Sequence, residues 1–114
     1  MKADMFEDLL IWQKAKDITL LIYKIFNQNK DFNFKKQIER ASVSIMNNIA
    51  EGFERRSNKD FRQFLYFAKG SSGEVRNMLH LAFELNYIDK TEYVKLKELS
   101  LDISRMTSGL IKTL

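Results

Sequence analysis

The chain has 114 residues, a formal net charge of +4 and a pI of about 9.3. A chain of this length buries roughly two-thirds of its unfolded surface, so the sequence predicts one domain over residues 1–114 that needs no disulfide or structural metal. The sequence contains no cysteine, which excludes a disulfide framework, a thiolate metal site and a cysteine nucleophile. The mildly basic charge permits a nucleic-acid partner without requiring one.

The sequence has no proline and four glycines, a composition typical of helices joined by short turns rather than of sandwiches or barrels. The opening MKADMFEDLL is acidic where a signal peptide needs a basic segment. The apolar run ITLLIYKIF is interrupted by Lys24 and is too short to span a bilayer. We therefore expect a soluble, cytoplasmic protein that does not enter a membrane.

The first predicted helix extends from about Glu7 to Asn29 and carries two apolar stripes. One stripe comprises Ile11, Ala15, Ile18, Ile22 and Ile25, and the other comprises Leu20, Leu21, Tyr23 and Phe26. A surface helix of a lone bundle needs only one stripe. The second stripe therefore predicts a further partner, and another subunit is the simplest candidate.

The second predicted helix extends from about Phe34 to Glu54 and also has two apolar faces. One face comprises Ile38, Ala41, Ile45 and Ile49, and the other comprises Val43, Met46, Ala50 and Phe53. Gly52, near the end of this helix, predicts either a close approach to a neighbouring helix or the start of helix termination.

The third predicted helix starts after Ser57, a good N-cap, and continues without a break to about Asn86. Its apolar spacing keeps the same helical phase on both sides of Gly70 and Gly73, which a flexible loop would have reset. Each glycine costs about 1 kcal/mol relative to alanine in a helix interior. Close packing of these glycines against a neighbouring helix is the expected compensation.

The fourth predicted helix begins at a cap formed by Asp89 or Thr91, and Glu92 completes a capping box if Asp89 is the cap. Its apolar face comprises Leu96, Leu99, Ile103, Met106 and Leu110. Short connections favour antiparallel neighbours. The sequence therefore predicts an all-α, antiparallel, up-down-up-down four-helix bundle.

Five segments resemble the family of 23S rRNA intervening-sequence proteins. These segments are DLLIWQKAK at 8–16, VSIMNNIAEG at 43–52, RSNKDF at 56–61, AKGS at 68–71 followed by Glu74, and LNYI at 85–88. The resemblance covers roughly the first three-quarters of the chain and is most specific in NNIAEG. Asn86 stands where the family often has glycine, so a left-handed residue is still expected there.

The resemblance implies a bacterial four-helix protomer that assembles as a ring-like homo-oligomer, most often a cyclic pentamer. The accessory variability determinant of diversity-generating retroelements resembles the same structural group and binds nucleic acid through basic surfaces. Some members are encoded inside insertions in large ribosomal RNA genes. A catalytic activity is not an expectation of this family.

The sequence contains few of the residues and motifs that form a catalytic or metal site. A di-iron bundle needs Glu-x-x-His on two helices, whereas this chain has one histidine, His80, and Asn77 stands three positions before it. There is no Gly-x-Ser-x-Gly elbow and no phosphate-binding loop. We therefore predict no catalytic residue, no metal site, no cofactor and no enzymatic activity.

Four polar residues, Asn47, Asn48, Glu51 and Glu74, lie in or beside the apolar faces of the second and third helices. They could line a channel or pocket, but hydrogen bonds that fix helix register or subunit contacts are the favoured interpretation, because buried polar groups must be paired. Arg40 and Arg62 are candidate partners for the two carboxylates.

Basic residues gather at the turn between the second and third helices. The candidate nucleic-acid-binding residues are Arg40, Arg55, Arg56, Lys59, Arg62 and Lys69. Guanidinium groups suit phosphate oxygens, and a ring would repeat the basic surface and so strengthen a weak contact. We predict a non-enzymatic protein that contacts RNA or an RNA–protein complex. The alternatives are a protein-interaction scaffold without nucleic-acid contact, and a solvated face on which these charges have no partner.

Overall fold

The computed structural model describes residues 3–114, which form four α-helices after a short 3₁₀ turn at Phe6–Asp8. The helices are α1 (Leu10–Ile25), α2 (Phe32–Phe53), α3 (Asn58–Glu84) and α4 (Lys90–Lys112). No strand occurs in this part of the chain, and the predicted all-α class is confirmed. Each helix packs against two others, in the order α1, α2, α3, α4 and back to α1. The up-down-up-down order of the helices stays a prediction.

One continuous core lies between the four helices, and the first predicted stripes of α1 and α2 supply much of it. The second stripe of α1 divides. Phe26 is buried and packs 5.7 Å from the ring of Phe34, whereas Leu20 and Tyr23 remain 59% and 45% exposed. The second face of α2 is half-buried. The second stripes were predicted to need a further partner. Part of this apolar surface packs within the protomer instead, and part of it stays open to solvent.

The helix α1 is shorter than predicted at both ends. Leu9 is extended, with φ −74° and ψ 129°, so the helix begins at Leu10 rather than near Glu7. The preceding turn is held by Phe6, whose ring packs edge-on against Trp12 at 5.4 Å, and by Gln13, which donates to the carbonyl oxygen of Glu7 at 2.9 Å. The helix ends at Ile25 instead of near Asn29.

The helix α3 is continuous, as predicted, and the side chain of Ser57 caps it by accepting from the backbone nitrogen of Asp60 at 3.1 Å. The predicted packing of Gly70 and Gly73 is wrong within the protomer, because a Cβ atom at either position would have no atom within 4 Å. Ser71 and Ser72 make the contacts instead. The Ser71 hydroxyl lies 3.0 Å from that of Ser44 on α2, and the buried Ser72 hydroxyl donates to the Ser100 carbonyl on α4 at 2.9 Å.

The predicted turn between α3 and α4 is confirmed in detail. Asn86 is left-handed, with φ 60°, and the next backbone nitrogen, that of Tyr87, donates to the carbonyl of Ala82 at 2.8 Å. The cap of α4 is Asp89, and Glu92 completes the capping box. Among the described helices, none combines the length and apolarity needed to cross a membrane.

Candidate nucleic-acid interface

The corner between α2 and α3 is fixed by a close approach at Gly52. A Cβ atom at this buried glycine would lie 2.6 Å from Cβ of Phe64 and 3.0 Å from Cδ1 of Phe61. The close approach predicted for Gly52 is therefore confirmed. Because the last turn of α2 touches the first turns of α3, the charged residues that follow Phe53 stand on a rigid corner instead of a loose loop.

Three of the predicted basic residues stand exposed at this corner. Arg55 pairs with Glu51 at 2.9 Å, and its guanidinium lies 4.7 Å from the centre of the Phe64 ring. Arg56 and Lys59 are exposed and form no ion pair with any of residues 3–114. The charges of Arg56 and Lys59 are therefore available to a partner. Surface pairs such as Arg55–Glu51 contribute little free energy and are readily exchanged.

Arg62 is half-buried and belongs partly to the structure of the bundle. Its Nη1 donates a hydrogen bond to the main-chain oxygen of Leu114, which lies 52 residues later, just after the end of α4. This contact ties the first turns of α3 to the end of the fourth helix. We call Arg55, Arg56, Lys59 and Arg62 together the turn cluster.

Arg40 and Lys69 do not lie in the turn cluster. Arg40 precedes Arg55 by 15 positions, so it lies roughly 20 Å away along α2. It borders an open groove between α2 and α3 together with Lys36 and Glu74. Lys69 is half-buried and lies roughly 10 Å beyond Arg62 along α3. The six candidate residues thus separate into one compact cluster and two outlying cations.

The predicted polar residues have mostly local partners. Asn48 donates to the carbonyl of Ser44 at 2.8 Å, and Ser44 provides the link to α3. Glu51 pairs with Arg55, one turn along the chain, rather than with Arg40 or Arg62. Asn47 and Glu74 are exposed and border open grooves beside α2. Asn48 and its serine neighbour support the register interpretation, while Asn47 and Glu74 remain free for a contact outside the protomer.

Two aromatic residues near the cluster were missed by the sequence reasoning. Tyr66 and Phe67 are 57% and 49% exposed on α3. The signal was present, because both fall outside the helical phase of the buried Phe61, Leu65 and Ala68. Phe67 packs edge-on against Phe64 at 5.8 Å, so the aromatic surface continues from the Arg55 guanidinium along α3.

Residues 3–114 hold no group of three or more histidine, cysteine, aspartate or glutamate side chains arranged to bind a metal. His80 is exposed, and its Nδ1 lies 2.6 Å from the hydroxyl of Tyr93. At the N-terminal end of α2, Asp31 and Tyr87 form a hydrogen-bonded pair whose pKa values are shifted. There the Tyr87 hydroxyl and the Phe34 backbone nitrogen donate to Asp31 and lower the pKa of that carboxyl.

A protein-family model described as 23S rRNA-intervening sequence protein matches residues 7–109. The chain belongs to this family. The match includes the turn cluster and most of α4, and α4 lies outside the five segments that carry the sequence resemblance. Comparison with curated proteins gave no match.

A member of the S23 ribosomal protein family from Bacteroides thetaiotaomicron VPI-5482, a protein of unknown function, has a similar crystal structure. The TM-score is 0.85 and the sequence identity is 29%, over 90% of this chain and 99% of that one. The family match and the similar crystal structure therefore agree with each other, and neither of them assigns an activity.

Proposed function

We propose that this member of the 23S rRNA-intervening sequence protein family is a non-enzymatic, nucleic-acid-associated protein of the bacterial cytoplasm. Its partner is RNA or an RNA–protein complex, and its contact surface is the turn cluster. The observation that carries the proposal is the pair of exposed cations, Arg56 and Lys59, which have no carboxylate partner among residues 3–114 and stand on a fixed helical corner. The name of the family, which refers to 23S rRNA, supports RNA as the partner.

Phosphate oxygens are the ligands that such a corner suits. Arginine presents several donors in one plane and binds phosphate with two hydrogen bonds at once, while lysine acts as a mobile point charge. Contacts of this type position a nucleic acid without reading its sequence. The turn cluster therefore supports binding with little sequence preference and strong dependence on salt.

Oligomerisation is the second part of the proposal. The protomer is an up-down-up-down bundle, and five copies form a ring that repeats the turn cluster. The exposed Leu20 and Tyr23 on α1 and the half-buried second face of α2 support a contact between copies. A ring raises the effective concentration of each cluster around a bound RNA, which converts weak individual contacts into stable binding.

Charge reversal tests the assignment of the cluster. Arg56→Glu with Lys59→Glu should weaken binding of a short mixed-sequence RNA and reduce the slope of log affinity against log salt by about 0.7 for each lost phosphate contact. The matched control is Lys90→Glu with Lys95→Glu, which makes the same change in net charge at the exposed start of α4. Equal affinities for the two double variants would contradict the assignment.

The alternative is a protein-interaction scaffold in which the charges are incidental. The exposed apolar side chains of α1 are the observation that favours it, because they fit a protein partner as well as another copy. Affinity purification before and after nuclease treatment separates the two functions. A partner protein that survives nuclease and is also retained by the Arg56→Glu, Lys59→Glu variant indicates a scaffold.

A further inference from the structure

Tyr66 and Phe67 form an exposed aromatic pair on α3. Their packing within residues 3–114 does not require either side chain to be exposed. Tyr66 is exposed, and the ring of Phe67 packs against that of Phe64, also on α3, with the two ring planes inclined at 85°. Phe64 is in turn covered by the guanidinium of Arg55 at 4.7 Å. The aromatic surface therefore begins at the turn cluster and ends in two side chains that are about half exposed to solvent.

Positive charges flank this aromatic pair along the helix. Arg62 lies one turn before Tyr66 and Lys69 lies one turn after it, and side chains at these spacings are neighbours on a helix surface. Lys59 lies on the same outward face as Tyr66, two turns earlier. The carboxylates of α3 on this side are those of Asp60 and Glu74, each seven residues, or roughly 10 Å along the helix, from Phe67. Along α3, the cations Arg62 and Lys69 are therefore closer to Tyr66 and Phe67 than either of these carboxylates is.

The glycine after this pair keeps the rings uncovered. In an α-helix, side chains lean toward the N-terminus, so a side chain at position 70 would lean back over Tyr66, one turn earlier. Gly70 has no side chain, and no atom lies within 4 Å of where its Cβ would be. The surface at Gly70, one turn from Tyr66, is therefore open and leaves room for a ligand.

We propose that Tyr66 and Phe67 stack against unpaired bases of a nucleic acid whose phosphates the turn cluster holds. This inference rests on the proposed function and narrows the ligand to single-stranded or unpaired RNA. Every base has a π-face, so aromatic stacking adds affinity without sequence preference. Bases inside a duplex are already stacked on one another and cannot lie on these rings. Flanking cations favour an anionic polymer over a second copy of this basic surface.

The experiment compares one RNA in two forms, alone and annealed to its complement, against wild type and three variants. Tyr66→Leu with Phe67→Leu removes both rings and keeps apolar, helix-favouring side chains. Tyr66→Phe keeps a ring and should retain wild-type affinity. Phe32→Leu is the matched control, since Phe32 is an exposed aromatic residue at the opposite end of α2 from the turn cluster.

The double leucine variant should bind the unpaired RNA roughly 10-fold or more weakly, as expected for the loss of base stacking. Its salt slope should stay unchanged, because stacking releases no counterions. Wild type should prefer the unpaired RNA, and Phe32→Leu should bind as wild type does. This combination separates stacking from phosphate contacts.

Equal binding of the two RNA forms by wild type would overturn the stacking proposal. So would undiminished binding by the double leucine variant while the Arg56→Glu, Lys59→Glu variant binds weakly, and in that case the proposed function would stand. Loss of affinity together with a lower native mass would assign Tyr66 and Phe67 to a contact between copies and would also overturn stacking. Absence of RNA binding by wild type at low salt would remove both proposals.

Discussion

A methyl group on Gly52 would lie 2.6 Å from Cβ of Phe64, closer than side-chain atoms approach one another. This relationship sets how near the end of α2 comes to the first turns of α3. The guanidinium of Arg55 lies over the same Phe64 ring, so the spacing between the two helices also determines where the turn cluster stands relative to Tyr66 and Phe67. The position of the candidate interface therefore depends on a residue that carries no charge.

Gly52→Ala should lower the free energy of unfolding by about 1–3 kcal/mol, because the added methyl group forces α2 and α3 apart. Urea denaturation at a fixed protein concentration measures the change. Gly109→Ala is the control. That glycine lies in α4 with no atom within 4 Å of a Cβ position, so alanine should stabilise the helix by up to about 1 kcal/mol. Similar effects of the two substitutions would contradict the close approach.

Gly70→Ala and Gly73→Ala should each raise the free energy of unfolding of the protomer by up to about 1 kcal/mol, since alanine favours a helix interior and has room at both positions. Urea denaturation tests the sign. The predicted compensation by close packing fails within the protomer, and nothing yet tests whether these glycines pack against a neighbouring copy. A lower native mass in light scattering, together with a loss of stability, would place a second copy against these glycines.

The helical phase of the apolar residues was enough to predict the four helices and their buried faces. It also predicted the continuity of α3, because Phe61 and Ala82 share one phase across Gly70 and Gly73. Local chemistry was enough for the cap at Asp89, since its partners lie within one turn. These features depend on residues that lie close together in the sequence, so the sequence alone is enough to predict them.

Features set by distant neighbours could not be predicted in this way. Phe26 and Leu20 belong to one predicted stripe, yet Phe26 is buried against Phe34 on α2, whereas Leu20 stays 59% exposed among residues 3–114. Arg62 was assigned to the basic cluster by its position in sequence, while its hydrogen bond to Leu114 depends on how α3 and α4 pack. The basic residues of the candidate site could be predicted from the sequence, whereas their positions relative to one another depend on how the helices pack.

Asp89→Ala should lower the free energy of unfolding by about 1 kcal/mol, because the backbone nitrogen of Glu92 loses its acceptor at 2.7 Å. Asp89→Asn keeps a side-chain oxygen at this position and should retain most of the stability. Thermal or urea denaturation of the two variants side by side measures the difference. Equal losses would mean that the charge of Asp89, and not its hydrogen bond, stabilises the start of α4.

Tyr87→Phe should change how stability depends on pH. The Tyr87 hydroxyl donates to Oδ2 of Asp31 at 2.7 Å, which lowers the pKa of Asp31 below 3.8 and raises that of Tyr87 above 10.0. The Asp31 contribution is present above its unfolded pKa and is lost as pH falls through the lowered folded pKa. The Tyr87 contribution is present below its unfolded pKa and is lost as pH rises through the raised folded pKa.

The stability difference between wild type and Tyr87→Phe should therefore be constant between these limits and should shrink at strongly acid and strongly alkaline pH. Urea denaturation across a pH series measures this difference. An NMR titration of Asp31 supplies an independent check, since Tyr87→Phe should raise the pKa of that carboxyl toward its ordinary value. A difference that stays the same in strong acid would contradict the role of the hydrogen bond.

Leu20→Lys with Tyr23→Lys tests whether a second copy covers the open stripe of α1. Both side chains are exposed in the protomer, so the double variant should change its free energy of unfolding by only about 0.5 kcal/mol per site. Val94→Lys, at an exposed apolar residue of α4, is the control. Light scattering on a size-exclusion column should give 5 × 13.5 = 67.5 kDa for wild type and the control, and a lower mass for the double variant. A wild-type mass of 13.5 kDa would contradict the ring and would leave RNA binding dependent on one turn cluster per molecule.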